Sequence, residues 1–258
     1  MTEPTNSKQF GPLISNKILV VPVAYNEKYK LGNVIDRVLK SGMSAQADYM
    51  IVDDGSDDGT TEMIASYSRQ GVRTVKHPQR FGVGAAIRTA IKYARMNGYE
   101  IIVIMAGNDK DDPQQIPQLL EPILNWEYDL VQGSRYLGKV GSGGQMPFYR
   151  KLATRLHPFV FSLFTGRRLT DTTNGFRAIR LSIFDNEQID LDQGWLDTYE
   201  LEPYILWKVI TLGYKYTEVF VTKIYPPKKL GGYTKMIPIL SWWSILKPLF
   251  YLRLGIKK

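Results

Sequence analysis

Two periods of hydrophobic and polar positions alternate along the first half of the chain. KILVVPV (Lys17 to Val23), YMIVDDGS, VRTVKH, YEIIVIM and YDLVQGS open on or contain short apolar runs that predict strands. Between the first two, Leu31, Val34, Ile35, Val38 and Leu39 recur at helical spacing. Thr60 to Arg69 predicts a second helix, and Gly84 to Met96 a third with small residues for close packing. Gln114 to Leu124 predicts a fourth, entered through Pro113, which suits a first helical turn. Strands alternating with helices imply an α/β fold with a doubly wound, mostly parallel sheet. Ligands on such sheets bind beyond the carboxyl ends of the strands. Three polar motifs fall there: AYNE after the first strand, DDGSDDGT after the second and AGNDKDDP after the fourth.

Composition narrows the chemistry. A chain of 258 residues makes one large domain or a domain with an appendage. It has no cysteine, which removes disulfides and thiolate catalysis, and its 2 histidines exclude a histidine-rich metal site. The opening MTEPTNSKQFGPLISNK is polar and lacks an apolar signal core, so residues 1–16 are expected to form a flexible arm.

The net charge of +8 is unevenly placed. Gly133 to Thr170 and Lys223 to Lys258 hold Arg135, Lys139, Arg150, Lys151 and eleven further Lys/Arg without one Asp or Glu. The rest of the chain carries 18 basic against 25 acidic residues. This asymmetry suggests an anionic partner on one side: nucleic acid, phospholipid or a phosphorylated substrate. A solvated basic face accounts equally well for the charge alone.

In DDGSDDGT, Asp53 and Asp54 leave a buried strand, Gly55 and Gly59 allow tight turning, and Asp58 or Thr60 can cap the next helix. An Asp/Gly-rich turn explains part of this. Carboxylates at a strand end cost desolvation unless something uses them, and the donors of a nucleotide base or ribose would. In MAGNDKDDP, Asp109, Asp111 and Asp112 crowd one loop with Lys110 among them. The cluster reads as a cation site, an altered one, or a polar turn.

VPVAYNE, VDDGSDDGT, HPQRFGVGAAIRTAIKYA, GSRY and DTTNGFRA stand in an order that resembles the family 2 inverting glycosyltransferases, most of all the dolichyl- and polyprenyl-phosphate hexose synthases. Each motif alone is weak, and five in order are specific. The likeness spans roughly Lys17 to Lys235. It implies a GT-A fold: a nucleotide-binding α/β domain over 17–235 with an acceptor-binding half. It also implies transfer of a hexose, with inversion, from a UDP- or GDP-sugar to polyprenyl or dolichyl phosphate.

By the same resemblance, Pro22, Tyr25 and Glu27 match the first nucleotide-contacting loop, and Asp53 and Asp54 the acidic pair on base and ribose. Arg80 and Gly82 to Ala85 match the segment beneath the nucleotide. Ser134, Arg135 and either Arg150 or Lys151 match the grip on the acceptor phosphate, for which guanidinium is well shaped. Asp171, Asn174 and Arg177 match residues near the reaction centre, although Asn174-Gly175 also reads as a simple turn. KKLGGYTK resembles the family's RxxGxSK, which puts Lys229, Thr234 and Lys235 on the phosphate; Glu200 or Glu202 matches a family Glu.

The metal frame departs. The family reads DADxQHDP where this chain has Ala106, Asn108 and Lys110 on the ligand positions. The resemblance therefore implies Mg2+ or Mn2+ with weakened or absent dependence. Asn108 and Asp109 are the remaining candidate ligands, and Lys110 is the candidate replacement for the cation, since a diphosphate leaving group needs positive charge as its bond breaks. A site that binds nucleotide without turnover is the third reading.

The tail MIPILSWWSILKPLFYLRLGIKK mixes Trp242, Trp243 and Tyr251 with Lys247, Arg253 and two prolines. It lacks the roughly twenty uninterrupted apolar residues of a spanning helix. It predicts helices over 236–258 lying in a membrane interface, drawn to anionic lipid, with Phe159, Phe161 and Phe164 sharing the role. Packing against the domain or a partner subunit is the competing reading. The expected location is the cytoplasmic face of the cell or ER membrane, as a peripheral protein. Aromatics gathered in apolar stretches, not interleaved with cations, disfavour nucleic acid. A glycan or soluble acceptor, or a non-catalytic nucleotide-binding role, remain as alternatives, and the oligomeric state stays open.

Overall fold

The computed structural model describes residues 17–43, 46–138, 148–224 and 240–258. The expected arm 1–16 and the segment carrying Lys229, Thr234 and Lys235 lie outside them.

The chain runs β1 (Ile18–Ala24), α1 (Leu31–Lys40), β2 (Ala47–Asp53), α2 (Thr60–Ala65), β3 (Val72–Lys76), α3 (Val83–Met96), β4 (Ile101–Ala106), α4 (Ile116–Trp126), β5 (Leu130–Ser134), α5 (Phe148–Thr165), β6 (Arg177–Arg180), α6 (Leu201–Thr211), β7 (Tyr216–Phe220) and α7 (Leu240–Arg253). The strands form one sheet in the order β3-β2-β1-β4-β6-β5-β7. β3, β2, β1 and β4 are parallel; β6 runs antiparallel between β4 and β5, and β7 is parallel to β5. This is the mostly parallel sheet that the alternating periods imply.

Alternate residues serve the two faces, as a pleated strand requires. Leu19, Val21, Met50, Val52, Ile102 and Ile104 pack towards α3, α5, α6 and α7. Ile18, Val20, Ile51, Ile101, Val103 and Met105 pack towards α1, α2 and α4. Helix α3 brings Ala86, Ala90 and Ala94 to the sheet, so it sits close. Helix α4 buries Leu119, Leu120 and Ile123, each stabilising by roughly 1.5–3 kcal/mol.

Two helices differ from their sequence expectation. The predicted helix to Arg69 stops at Ala65 and gives way to a separate 3-10 turn over Ser68–Gln70. Ser66 Oγ bonds back to the Met63 carbonyl, the local competition that makes serine a poor helix continuer. The helix expected from Gln114 begins as a 3-10 turn at Pro113, capped by the Asp112 side chain accepting from Gln114 N, and becomes α-helical at Ile116.

The C-terminal segment is part of the domain's packing. Leu249 of α7 is buried and Leu252 packs beside it in the core shared with α5 and α6. Lys247 pairs with Glu200 at 2.5 Å, and Phe250 meets Phe164 edge-on. The opposite side is exposed: Trp243 at 52%, with Phe250, Leu254 and Ile256. On α5, Leu152, Leu156, Phe159 (66%) and Leu163 are exposed at helical spacing, whereas Phe161 is fully buried. No helix among the described residues is long and apolar enough to cross a membrane.

Candidate active site

A cavity of about 260 Å³ opens at the carboxyl ends of β1, β2 and β4. The first two sequence motifs build one of its walls by bonding to each other. Asn26 takes a left-handed conformation, φ 51°, and its side chain exchanges two hydrogen bonds with Asp57, at 2.8 and 3.0 Å. Asn26 N donates to Ser56 Oγ, and Glu27 N to Thr60 Oγ1. This lattice turns Tyr25 and Glu27 into the cavity. Arg80, also on the wall, stacks over the Tyr25 ring at 4.5 Å. Glu27 is buried and paired with Lys30 at 2.6 Å.

The two adjacent aspartates have separate jobs. Asp54 lines the cavity. Its Oδ1 accepts from Phe81 N at 2.9 Å and lies 2.8 Å from His77 Nδ1; its Oδ2 accepts from Gly82 N at 2.8 Å. Asp53 is turned inward, accepting from Ser56 N and the Thr61 hydroxyl, and is not among the residues lining the cavity. Pro22 is likewise buried within β1, behind the wall. Gly82 lines the cavity at φ 111°, a conformation natural to glycine. The close backbone that Gly82 and Gly84 admit is the chain's own: a Cβ there would meet the carbonyls of Asp197 and Leu196 at 2.4 and 2.0 Å.

The loop after β4 is arranged differently. Asp109, at φ 58°, points to Arg37 on α1, 2.6 Å away. Asp112 pairs with the same guanidinium at 2.9 Å. Asp111 accepts from Ala106 N and pairs with Lys223 at 2.8 Å. None of the three lines the cavity; Ala106, Asn108, Lys110 and Lys223 do. Asp109, a candidate metal ligand from the sequence, is thus held on the far side of the loop.

The residues expected on the acceptor side fall mostly behind the cavity. Arg135 is buried and gives its guanidinium to Asp171, Nε and Nη2 lying 2.6 and 2.7 Å from the two carboxylate oxygens. Burial would raise the Asp171 pKa, but the Arg135 charge and hydrogen bonds prevail and hold it below the ordinary carboxylate range. Ser134 is buried against Thr170. Asn174 donates to Gly133 O and accepts from Lys223 at 2.7 Å. Arg177 is fully buried and reaches Asn174 O and Glu202. These side chains hold Thr172, Thr173 and Gly175 in the cavity wall. Lys151 is exposed on α5; Arg150 lies in the same helix, its side chain outside the described residues. Of the two glutamates weighed from the sequence, Glu202 lines the cavity and Glu200 does not.

Three contributors carry no motif: Lys30, Lys223 and His157. The last bridges two wall residues, with Nδ1 2.5 Å from Thr172 Oγ1 and Nε2 3.1 Å from Ile245 O of α7. A carbonyl only accepts, so Nε2 carries the proton and Nδ1 accepts from the threonine hydroxyl. Burial lowers the His157 pKa to about 4, against a smaller opposing pull from that carbonyl and Asp171. Lys223 alone had a faint signal, as the first residue of the acid-free basic tail.

A divalent cation, which the resemblance implies, fits these donors poorly. At a nucleotide such ions take about six oxygens, most of them from phosphate and water and one or two from protein carboxylate, and none of the loop's three aspartates lines the cavity. Among the described residues no group of three or more His, Cys, Asp or Glu side chains is placed to hold one. Residues 139–147 and 225–239 add none of those types. The family's ligand positions offer one neutral oxygen, Asn108 Oδ1, beside an ammonium.

Comparison with known proteins agrees with the fold and the family resemblance. The family model for glycosyl transferase family 2 matches residues 19–187. Over 220 residues the chain is 27% identical to the polyprenol monophosphomannose synthase of Mycolicibacterium smegmatis, covering 84% of this chain and 80% of that one. It is 28% identical to the undecaprenyl-phosphate mannosyltransferase of Micrococcus luteus, covering 83% and 86%. Among solved structures, glucosyl-3-phosphoglycerate synthase from Mycobacterium tuberculosis, crystallised with Mn2+, UDP and phosphoglyceric acid, superposes with a TM-score of 0.64 at 19% identity, covering 93% and 79%.

Proposed function

The chain belongs to glycosyl transferase family 2 and is a glycosyltransferase of GT-A fold, and from that premise we propose that it transfers a hexose from a UDP- or GDP-sugar to a polyprenyl or dolichyl phosphate. The observation that carries the acceptor class is the state of the cavity's carboxylates. Asp54 already takes two backbone N–H donors and His77, Glu27 is paired with Lys30, and Glu202 with Arg177. A hydroxyl acceptor needs a carboxylate to take its proton. A phosphate monoester is already an anion and needs only positioning and electrostatic help. Its oxygen attacks the anomeric carbon as the bond to the diphosphate breaks, and that electron pair leaves on the nucleoside diphosphate. No proton moves in the step. Direct displacement inverts the anomeric centre.

The lipid part of the reading draws support from α7. It lends Ile245 to the cavity while turning Trp243 and Phe250 outward, in continuity with the exposed apolar stripe of α5. Arg155 and Arg168 stand exposed beside Phe159 in a second, shallow depression. Apolar side chains rimmed by cations suit a peripheral seat on an anionic bilayer, on its cytoplasmic face. Two relatives carry names of polyprenyl-phosphate mannose transfer.

The base and ribose fall to Tyr25, Glu27, Asp54 and Arg80 in this reading, with Gly82 beneath them. The test is a panel of UDP- and GDP-hexoses offered to the protein with polyprenyl phosphate in anionic vesicles, phosphoglyceric acid and a free glycan. The expected product is the lipid-linked hexose monophosphate alone. Transfer to phosphoglyceric acid or glycan, with none to the lipid, would overturn the acceptor assignment.

A further inference from the structure

The loop after β4 puts a lysine where the family places a metal ligand, and the fold supplies a second lysine next to it. Lys110 is 5% exposed and Lys223, from beyond β7, has a side chain 11% exposed; both line the cavity. They are neighbours through the backbone. Asp111 and Lys223 form an isolated antiparallel bridge, and Ile224 N donates to Lys110 O at 2.9 Å. Asp111 and Asn174 hold the Lys223 ammonium at 2.8 and 2.7 Å, which fixes its position against the wall. Arg37 draws Asp109 and Asp112 to the other side. Every acid of the loop is therefore turned away from the cavity or spent on locating a cation, and the two lysines are on its wall.

We infer that Lys110, seconded by Lys223, takes the place of the divalent cation at the donor's diphosphate, an inference that rests on the donor assignment above. The physical requirement is positive charge where the leaving group gathers electrons. A divalent ion or a lysine ammonium can each supply it. The lysines differ in being part of the fold: they are in place before the donor arrives, and an ammonium N–H suits a phosphate oxygen. Lys223 is assigned to positioning and to the charge of the site, and Lys110 to contact with the diphosphate. A divalent ion bound beside Asn108 would instead have Lys110 as a repulsive neighbour, which makes the two solutions mutually exclusive.

Calorimetric titration of the full chain with UDP and with GDP, first in EDTA and then in Mn2+, tests this without relying on turnover. The nucleotide that binds should do so with a Kd changed by less than about two-fold between the buffers. Lys110→Gln should weaken it by about ten-fold in EDTA, the value of one charge-assisted hydrogen bond, with an unchanged thermal melt showing that the chain still folds. The triple variant Ala106→Asp, Asn108→Asp, Lys110→Gln should regain affinity in Mn2+ only. Wild-type binding tightened by Mn2+ about ten-fold or more, or a Lys110→Gln variant that binds as wild type, would overturn the inference. Failure of UDP and GDP to bind in either buffer would overturn the donor assignment itself.

Discussion

Two aspartate-rich loops of this glycosyltransferase leave buried parallel strands and end in opposite electrostatic states. DDGSDDGT follows β2 and AGNDKDDP follows β4. In the first, Asp54 remains on the cavity wall, where backbone N–H groups of residues 81 and 82 and His77 surround it. In the second, Arg37 and Lys223 turn all three aspartates aside, and Lys110 occupies the wall. An acidic loop at a strand end is thus no guide to the charge it presents. The outcome is set by cations elsewhere in the chain: Arg37 stands 72 residues before Asp109, and Lys223 reaches Asp111 from the far side of the sheet.

Substitutions in the two loops should differ most at their aspartates. Asp54→Ala strands Gly82 N and His77 in a buried place and Phe81 N in a part-buried one, so it should cost about 3 kcal/mol in denaturant unfolding. Loss of nucleotide binding should follow from the collapse of the 80–82 segment. An unchanged unfolding midpoint would mean that this carboxylate does not organise the wall.

The wall shared by Thr172 and Ile245 gives the comparison a third term, because it holds a titratable group and no charge. His157 is neutral in the folded chain, with a pKa lowered to about 4 from the usual 6.5. Above 6.5 neither state binds the proton. As pH falls from 6.5 towards 4, the unfolded chain takes it up and the folded chain does not. Stability should therefore drop over that window, by about 3 kcal/mol from this group. His157→Gln should flatten that part of the profile of unfolding free energy against pH, and an equal slope in both proteins would remove His157 as its source.

The smallest effect belongs to the outward side of the β4 loop. Arg37 and its two aspartates are partly exposed, so Arg37→Ala should cost only about 1 kcal/mol. Donor affinity in EDTA should stay near wild type, since Arg37 does not line the cavity. A loss as large as that from Asp54→Ala would show that the two loops do not differ in the way described.

How much of this was legible beforehand follows from the range of the interactions. The sheet and its layers rest on local periodicity, and the strands and helices of the first half lie close to their expected places. The position of the cavity was legible too, because strand ends gather the motifs that line it. The partners were not. Arg135 was expected to hold a phosphate; the structure puts its fork on Asp171, 36 residues on. Asp53 and Asp54 are adjacent and look equivalent, yet the pleat sends one inward and the other to the cavity. His157 lies in a helix that reads only as amphipathic, and its two bonds join segments 15 and 88 residues away. The pattern of the tail suits a membrane interface, the domain or a partner subunit alike, and α7 buries Leu249 while exposing Trp243. Single-sequence patterns report which faces are apolar, and they do not report which of two apolar faces meets protein.

If lysine, in place of a bound metal, supports departure of the diphosphate, hexose transfer should not depend on added metal. A chelator titration of transfer from the preferred UDP- or GDP-sugar to polyprenyl phosphate, using wild-type protein on anionic vesicles, measures this. The rate should be unchanged by EDTA, and a Lys110→Gln variant should be slower by about a hundred-fold in kcat. Loss of wild-type transfer in EDTA, restored by Mn2+ or Mg2+, would contradict it.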